Sequence, residues 1–228
     1  MKRGEIHYYS YDQQWRLRER GIALKRPFHL SYPQLIRSGE DIFMLPEAFQ
    51  SGRLTLYRAV DFPRAWEPVA VLLDEAAVDA TVFAHQGRWW MFYALDGRDS
   101  RAMRELNVAF ADGLTGPWTR HPRNPVRTGL GSSRPGGSPF LHQRELYFPT
   151  QDCTTGYGTG INLLRIDRLT PDAFAADSAK RLSPEGWLAG FDQGLHTLSD
   201  AGNVTLIDVK RLERSPMRHL IKLERWLR

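Results

Sequence analysis

An all-β fold, closing as a small five-bladed β-propeller, is what the sequence predicts, and three observations carry that expectation. Nineteen glycines and fourteen prolines stand among seven tryptophans, eight tyrosines and eleven phenylalanines, a usage that favours short strands and turns over long helices. One pattern, an apolar strand, a polar turn and a second apolar strand, recurs at 32–47, 79–93, 137–152 and 195–208. Its openings at Tyr32, Asp79, Gly137 and Leu195 are 47, 58 and 58 residues apart, which suits blades of about four antiparallel strands.

The elements follow in chain order. Residues 6–11 and 15–18 read as strands, and 1–30 as a whole is expected to contribute to ring closure. The first repeat, 32–47, gains a third strand at 54–59. It then runs through Asp61-Phe62-Pro63-Arg64-Ala65-Trp66 into an outer strand. The second repeat, 79–93, gains 106–111 and an outer strand after Asp112-Gly113-Leu114-Thr115-Gly116-Pro117-Trp118. The third, 137–152, gains 161–166. The fourth, 195–208, stops after two strands, so joining the N- and C-terminal strands would complete five blades within one domain, 1–228. Residues 217–227, with Leu220, Ile221, Leu223, Trp226 and Leu227 at mixed spacing, read as a short helix or a closing strand. A β-sandwich is the alternative, because periodicity does not specify closure. Trp89 and Trp90 must face opposite sides of their strand, and Trp66 and Trp118 hold equivalent, structural positions.

Composition excludes several classes of function. The chain is 42% apolar and 25% charged, ordinary globular usage. No apolar run reaches the roughly 18 to 20 residues that span a bilayer, and the N-terminus lacks a signal-peptide core; a soluble, cytoplasmic protein with no membrane span is expected. The single cysteine, Cys153, excludes a disulfide framework and a thiolate-rich zinc site, and reads as a small buried residue. The net charge of +5 collects at the chain ends, yet no nucleic-acid module is visible and no nucleic-acid partner is expected. His29, His85, His121 and His142 lack metal spacing, so no metal site and no cofactor are predicted; rim carboxylates leave a Ca²⁺ ion open. There is no Gly-rich phosphate loop, no Gly-x-Ser-x-Gly elbow and no kinase signature.

Blade geometry singles out residues that no local motif would. If the first strand leaves the upper rim and the second returns antiparallel, the start of one and the end of the other share a rim. That gathers Tyr32 and Glu47, Asp79 and Tyr93, Gln151 and Asp152, and His196 and Asp208 around one mouth. The carboxylates Glu47, Asp79, Asp152 and Asp208 form a candidate acid/base set, because glycosidic cleavage commonly uses one protonated and one ionised carboxyl group. For each alone, a turn cap or an inter-blade hydrogen bond is the competing role. Arg134, before Pro135-Gly136-Gly137, is placed to grip a carboxylate, a phosphate or a sugar hydroxyl, unless it belongs to a surface turn. Gln151 and Tyr157, within a polar and glycine-rich stretch, suit a sugar's hydroxyl edge and apolar face. His196 reads either as a rim ligand or proton carrier, or as a histidine hydrogen-bonded within the channel.

These residues resemble a known family. Ser31-Tyr32-Pro33, Met44-Leu45-Pro46-Glu47, Leu56-Tyr57-Arg58-Ala59, Phe62-Pro63-x-x-Trp66, Val78-Asp79, Gly87-Arg88-Trp89-Trp90, Gly116-Pro117-Trp118, His121-Pro122-x-Asn124-Pro125-Val126, Arg134-Pro135-Gly136-Gly137 and Gln151-Asp152-Cys153 resemble the N-terminal domain of the glucosamine inositolphosphorylceramide transferase family, from about Trp15 to Asp208. That domain is similar to the five-bladed propellers of glycoside hydrolase family 43. The resemblance implies five blades and a carbohydrate role. It implies no transferase activity, which in the plant enzymes belongs to a separate domain. The hydrolases typically offer an Asp before Pro at the first blade's opening, where Tyr32 precedes Pro33 here, and Gly136 and Gly137 stand where a third acid is wanted.

Two functions follow as expectations. One is a glycosidase-like enzyme in which Glu47, Asp79, Asp152 and Asp208 divide acid, base and tuning roles while Tyr32, Arg134, Gln151, Tyr157 and His196 contact sugar. The other is a noncatalytic glycan-binding module that uses the same mouth and assists a partner glycosyltransferase in surface polysaccharide or glycolipid synthesis. A protein-interaction propeller, weaker than both, would show an apolar top face.

Overall fold

The computed structural model describes residues 3–96, 100–186, 190–200 and 202–211, so the segment 217–227 lies outside the described residues. Regular structure among the described residues is almost all strand, in five separate antiparallel sheets. An N-terminal hairpin pairs β1 (Ile6–Tyr11) with β2 (Leu17–Leu24). The next sheet runs β3 (Ser31–Ser38), β4 (Asp41–Glu47), β5 (Leu54–Asp61) and β6 (Ala65–Leu73), each strand beside the previous one. The third repeats that order with β7 (Ala77–His85), β8 (Arg88–Leu95), β9 (Glu105–Ala111) and β10 (Thr119–Arg120); the four-residue α1 (Arg101–Arg104) leads into β9, and β11 (Arg127–Thr128) also pairs with it. In the fourth sheet, β12 (Arg134–Pro135) and β13 (Phe140–His142) share the edge of β14 (Glu145–Asp152), followed by β15 (Gly160–Leu169) and β16 (Phe174–Leu182). A last hairpin pairs β17 (Gly194–Asp200) with β18 (Thr205–Lys210).

Local sequence accounts for this arrangement. The loops Gln86-Gly87 and Gln143-Arg144 hold two consecutive residues at positive φ, the primed-turn geometry that matches strand twist and closes a two-residue hairpin. Strand β8 is buried on both faces, and its residues alternate between two cores. Met91 and Tyr93, with Val82 of their own sheet, pack with Phe43, Leu45 and Leu56 of the preceding sheet. Trp90 and Phe92 pack with Phe148, Leu164 and Ile166 towards the following sheet. Trp89 therefore lies against the first cluster and Trp90 within the second, as strand alternation requires. A third core joins Ile6 and Leu24 of the N-terminal hairpin to Met44 and Tyr57. Burial of each such large side chain contributes roughly 1.5–3 kcal/mol, so the hydrophobic stabilisation sits between sheets, face on face.

Trp66 and Trp118 repeat one structural device. Each indole N–H donates to a backbone carbonyl of its own linker, Trp66 to Pro63 at 3.0 Å and Trp118 to Leu114 at 3.1 Å. The outer strand β16 was not legible in the sequence, because its residues are mostly exposed and polar and no such tryptophan linker introduces it. The chain ends, expected to join, form two hairpins with no ladder between them among the described residues. No helix among the described residues is long and apolar enough to cross a membrane.

Neighbouring sheets are stitched together along their first strands. The Gln34 side-chain amide makes two 2.7 Å hydrogen bonds with the Val82 backbone, donating to its carbonyl and accepting from its N–H. Tyr32 and Thr81 share a hydroxyl–hydroxyl bond of 3.3 Å, and the Thr81 hydroxyl donates onward to the Gly137 carbonyl. Gly137 in turn bridges to Leu198 of β17. These contacts bring the openings of four sheets to one place.

Candidate functional site

The repeat openings are irregular in a shared way. The ladder register shifts between Ser31 and Gln34, between Val78 and Thr81, and between Leu195 and Thr197, so Tyr32, Asp79 and His196 all sit at bulges. Such bulges re-aim a side chain that regular pleating would send elsewhere. Tyr32 (φ 44°) and Asp79 (φ 49°) also occupy the left-handed region, which non-glycine residues adopt at a cost when the surroundings demand it. At the third opening Gly137 has φ 145°, and a Cβ there would overlap the Leu198 carbonyl. Close approach of β17 therefore excludes any side chain where a third acid was wanted.

Around these bulges lies a cavity of about 580 Å³, lined by Tyr32, Glu47, Asp79, Arg134, Tyr157, His196 and Asp208, together with Asp200 and several hydroxyl residues. Of the candidates read from sequence, seven thus meet at one mouth. Gln151 is fully buried and lies outside the lining, beneath Asp79; Asp152 lies outside it too.

The centre of the cluster is Asp79, 3% exposed. One of its oxygens, Oδ2, accepts from Arg134 Nε at 2.6 Å and from Gln151 Nε2 at 3.0 Å. Ladder register puts Arg134 opposite Gln151, so two residues on paired strands converge on the same carboxylate. Gln151 Nε2 also donates to the Pro135 carbonyl at 2.8 Å. The Asp79 backbone N–H donates to Glu47 Oε2 at 2.9 Å, while Ser31 donates its hydroxyl to Glu47 Oε1 at 2.9 Å. Burial, and then the charge of Asp79, raise Glu47 to about 7, so this carboxyl retains its proton near neutrality. The Tyr32 phenol is lifted far above its ordinary range by burial and by Asp79. Ser31 was not singled out from sequence, although the hairpin register that sets it opposite Glu47 follows from the repeat pattern.

The other wall continues the chain of contacts. The Arg134 guanidinium lies 5.0 Å from the centre of the Tyr157 ring, and that ring meets His196 edge-on at 4.6 Å. His196 Nδ1 lies 2.8 Å from Asp208 Oδ2. Asp200, Ser138, Thr197 and Ser199 line the same wall; nothing in the sequence pattern distinguishes them from ordinary surface residues. Asp152 behaves differently. Its carboxylate accepts from the Thr154 N–H and hydroxyl and from Arg181 Nε at 2.7 Å. Burial alone would raise Asp152, but the Thr154 and Arg181 hydrogen bonds outweigh it and hold the group below its usual range. Among the described residues no group of three or more His, Cys, Asp and Glu has metal-binding geometry.

Chemically, this mouth combines hydroxyl donors and acceptors, one exposed aromatic ring and one arginine, the equipment for holding a polyol with an apolar face. Comparison with known proteins gives the context. The sequence profile described as glucosamine inositolphosphorylceramide transferase 1, N-terminal, matches residues 2–182. The glucosamine inositolphosphorylceramide transferase 1 of Oryza sativa subsp. indica is 35% identical over 159 residues, 68% of this chain and 21% of the relative. That of Arabidopsis thaliana is 34% identical over 157 residues, 68% of this chain and 20% of the relative. The chain thus spans about a fifth of the length of these relatives. Among solved structures, the exo-beta-1,3-galactanase Pc1,3Gal43A of Phanerochaete chrysosporium superposes with a TM-score of 0.57 at 11% identity, covering 92% of this chain and 48% of the other. The arabinanase Arb43A of Bacillus subtilis gives 0.55 at 15% identity, covering 79% and 65%. At such identities the likeness is one of fold, the all-β propeller fold of glycoside hydrolase family 43.

Proposed function

The chain belongs to the N-terminal domain family of glucosamine inositolphosphorylceramide transferase 1, and from that premise we propose that it is a glycan-recognition domain that holds a sugar unit in its central cavity without cleaving it. In this reading the five sheets are the blades of a propeller closed at the chain ends, and 1–228 works as one domain. The observation that carries the reading is how the scaffold holds the two central carboxyls. Asp79 is tied through Oδ2 to both Arg134 and Gln151, and each oxygen of Glu47 already accepts a hydrogen bond from its own scaffold. A base or nucleophile must be free to turn its charge to the reacting bond, whereas Arg134 and Gln151 fix the Asp79 carboxylate and offset its charge. Here the acids organise the pocket, leaving Tyr157, Arg134 and His196 to meet the sugar.

Charge narrows the ligand. Although the chain is net basic, its cavity is lined by the carboxylates of Asp79, Asp200 and Asp208, beside the protonated Glu47, against Arg134 and His196. Carboxylates at the wall repel anionic groups, so a neutral glycan fits better than an acidic one. The relatives carry a transferase name and extend well beyond this domain, which supports a role in presenting a glycan or glycolipid to a glycosyltransferase partner.

Hydrolysis is the second reading, supported by the proton that Glu47 retains near neutrality, since a neutral carboxylic acid is what leaving-group protonation requires. A glycan-array screen of wild type and Asp79→Asn separates the two, with every bound glycan recovered and weighed by mass spectrometry. Recognition predicts bound glycans returned intact and binding weakened in the variant. Shortened glycans with wild type, absent with Asp79→Asn, would establish a glycosidase instead.

A further inference from the structure

His196 is held in a setting built around one ring nitrogen. Its strand bulges at this residue, taking the side chain out of the regular ladder. Gly158 and Gly194 let the turn before β15 lie directly against β17: a Cβ on Gly194 would overlap the Gly158 carbonyl, and one on Gly158 would press on His196 Cδ2 at 3.1 Å. Tyr157 packs against the ring from another side. Nδ1 faces the Asp208 carboxylate at 2.8 Å, and the remaining nitrogen, Nε2, is buried with no hydrogen-bond partner among the described residues.

Elementary chemistry assigns the hydrogens. An ionised carboxylate only accepts, so Nδ1 carries the hydrogen, and in the neutral ring Nε2 is then a bare lone pair. A buried acceptor without a donor is unfavourable; the residue that carries it lines the cavity, and because Nε2 itself is closed off from solvent, a sugar hydroxyl reaches it only by displacing the contacts that cover it. We propose that His196, oriented by Asp208, is the acceptor that positions one donor hydroxyl of the sugar in the cavity and makes that hydroxyl a requirement for binding. The inference deepens the sugar reading of the cavity and rests on it. It implies discrimination against a deoxy or O-methylated sugar at that position, because such a ligand would leave Nε2 unpaired. The charged or titratable groups around the ring are Asp208 on β18, Asp200 on β17, Arg134 on β12 and Tyr157 in the turn before β15, with Glu47 and Asp79 in the same cavity.

The test has two arms on the full chain. Long-range ¹H–¹⁵N NMR of labelled protein reads the His196 tautomer, expected with hydrogen on Nδ1; hydrogen on Nε2 overturns the assignment. In the second arm, the methyl glycosides of glucose, galactose, xylose, arabinose and N-acetylglucosamine are titrated into wild type, His196→Phe and His196→Gln. The tightest is then replaced by its monodeoxy analogues. The Phe variant keeps a ring beside Tyr157 but has no acceptor, and its Kd is expected to rise about tenfold. The Gln variant, whose amide oxygen can reach the Nε2 position, should recover most of the loss. One monodeoxy analogue should lose affinity for wild type and not for His196→Phe, the non-additivity that marks a direct pair. Equal binding by wild type and His196→Phe overturns the inference and spares the sugar reading. No glycoside bound by wild type overturns both. Should His196→Phe fail to fold, the Gln variant and the tautomer still decide.

Discussion

Glu47 and Asp152 occupy matching places in two repeats, each the last residue of its sheet's central hairpin strand, and both are buried. Their chemistry is opposite. Glu47 sits beside another carboxylate, and burial with that charge keeps it protonated up to about 7. Asp152 meets a threonine and an arginine, whose hydrogen bonds hold it ionised below its usual range. Strand position delivers an acid to the rim; the side chains around it, from the next sheet for Glu47 and from its own sheet and turn for Asp152, decide whether that acid is a proton store in a cavity or a structural anion outside it.

Removing the arginine that balances the Glu47–Asp79 pair should break this contrast most severely. Arg134→Met leaves Asp79 buried beside Glu47 without its cation, and a broken buried pair costs about 3–5 kcal/mol. Chemical denaturation of variant and wild type at pH 7 measures it. On the other side, Asp152→Ala removes the acceptor for the Thr154 N–H and hydroxyl and for Arg181. An effect of about 1–3 kcal/mol is expected, with no change in glycan affinity.

Stability against pH sharpens the comparison through opposite signs. Glu47 binds its proton more tightly when folded than unfolded. Its favourable contribution is therefore complete below its ordinary pKa of 4.5 and is lost as pH rises through about 7. Glu47→Gln should gain on wild type between pH 5 and 8, by on the order of 2 kcal/mol, in paired urea melts across that range. Asp152 is depressed when folded, so its contribution is present above its ordinary value of 3.8 and lost as pH falls through its lower folded value. Asp152→Asn should accordingly approach wild-type stability only on acidification. Smallest of all is Arg181→Gln: that guanidinium is half exposed, and exposed pairs contribute about 0–1 kcal/mol. Urea midpoints for this variant and for Arg134→Met should differ widely, although each removes an arginine from an aspartate.

How far the sequence carried this picture depends on whether a signal was periodic. Alternating apolar residues and tryptophan linkers announced β1, the hairpins of every repeat and the outer strands β6 and β10; β16, exposed and polar, carried no such mark. The rim rule gathered Tyr32, Glu47, Asp79, His196 and Asp208, which line one cavity, because the ends of paired antiparallel strands must lie together; Tyr93, which it gathered with them, is buried in the core instead. It could not separate Asp152 from Glu47, since the partners that distinguish them, Arg181 on β16 and Asp79 in the next sheet, are 29 and 32 residues away. Nor did it show Gln151 as a buried support rather than a surface of the mouth, or Asp200 as part of the wall. Those roles arise from side-chain contacts within and between sheets among residues far apart in sequence, which strand periodicity does not encode.

The most direct test of the account is a crystal structure of the protein soaked with the tightest neutral glycan from the array. The account predicts an intact sugar between Arg134, Tyr157 and His196, with Asp79 still bonded to Arg134 and Gln151. A cleaved sugar in that cavity, or an intact one bound elsewhere, for instance on the exposed aromatic face of Tyr9, Tyr11 and Trp15, would contradict it.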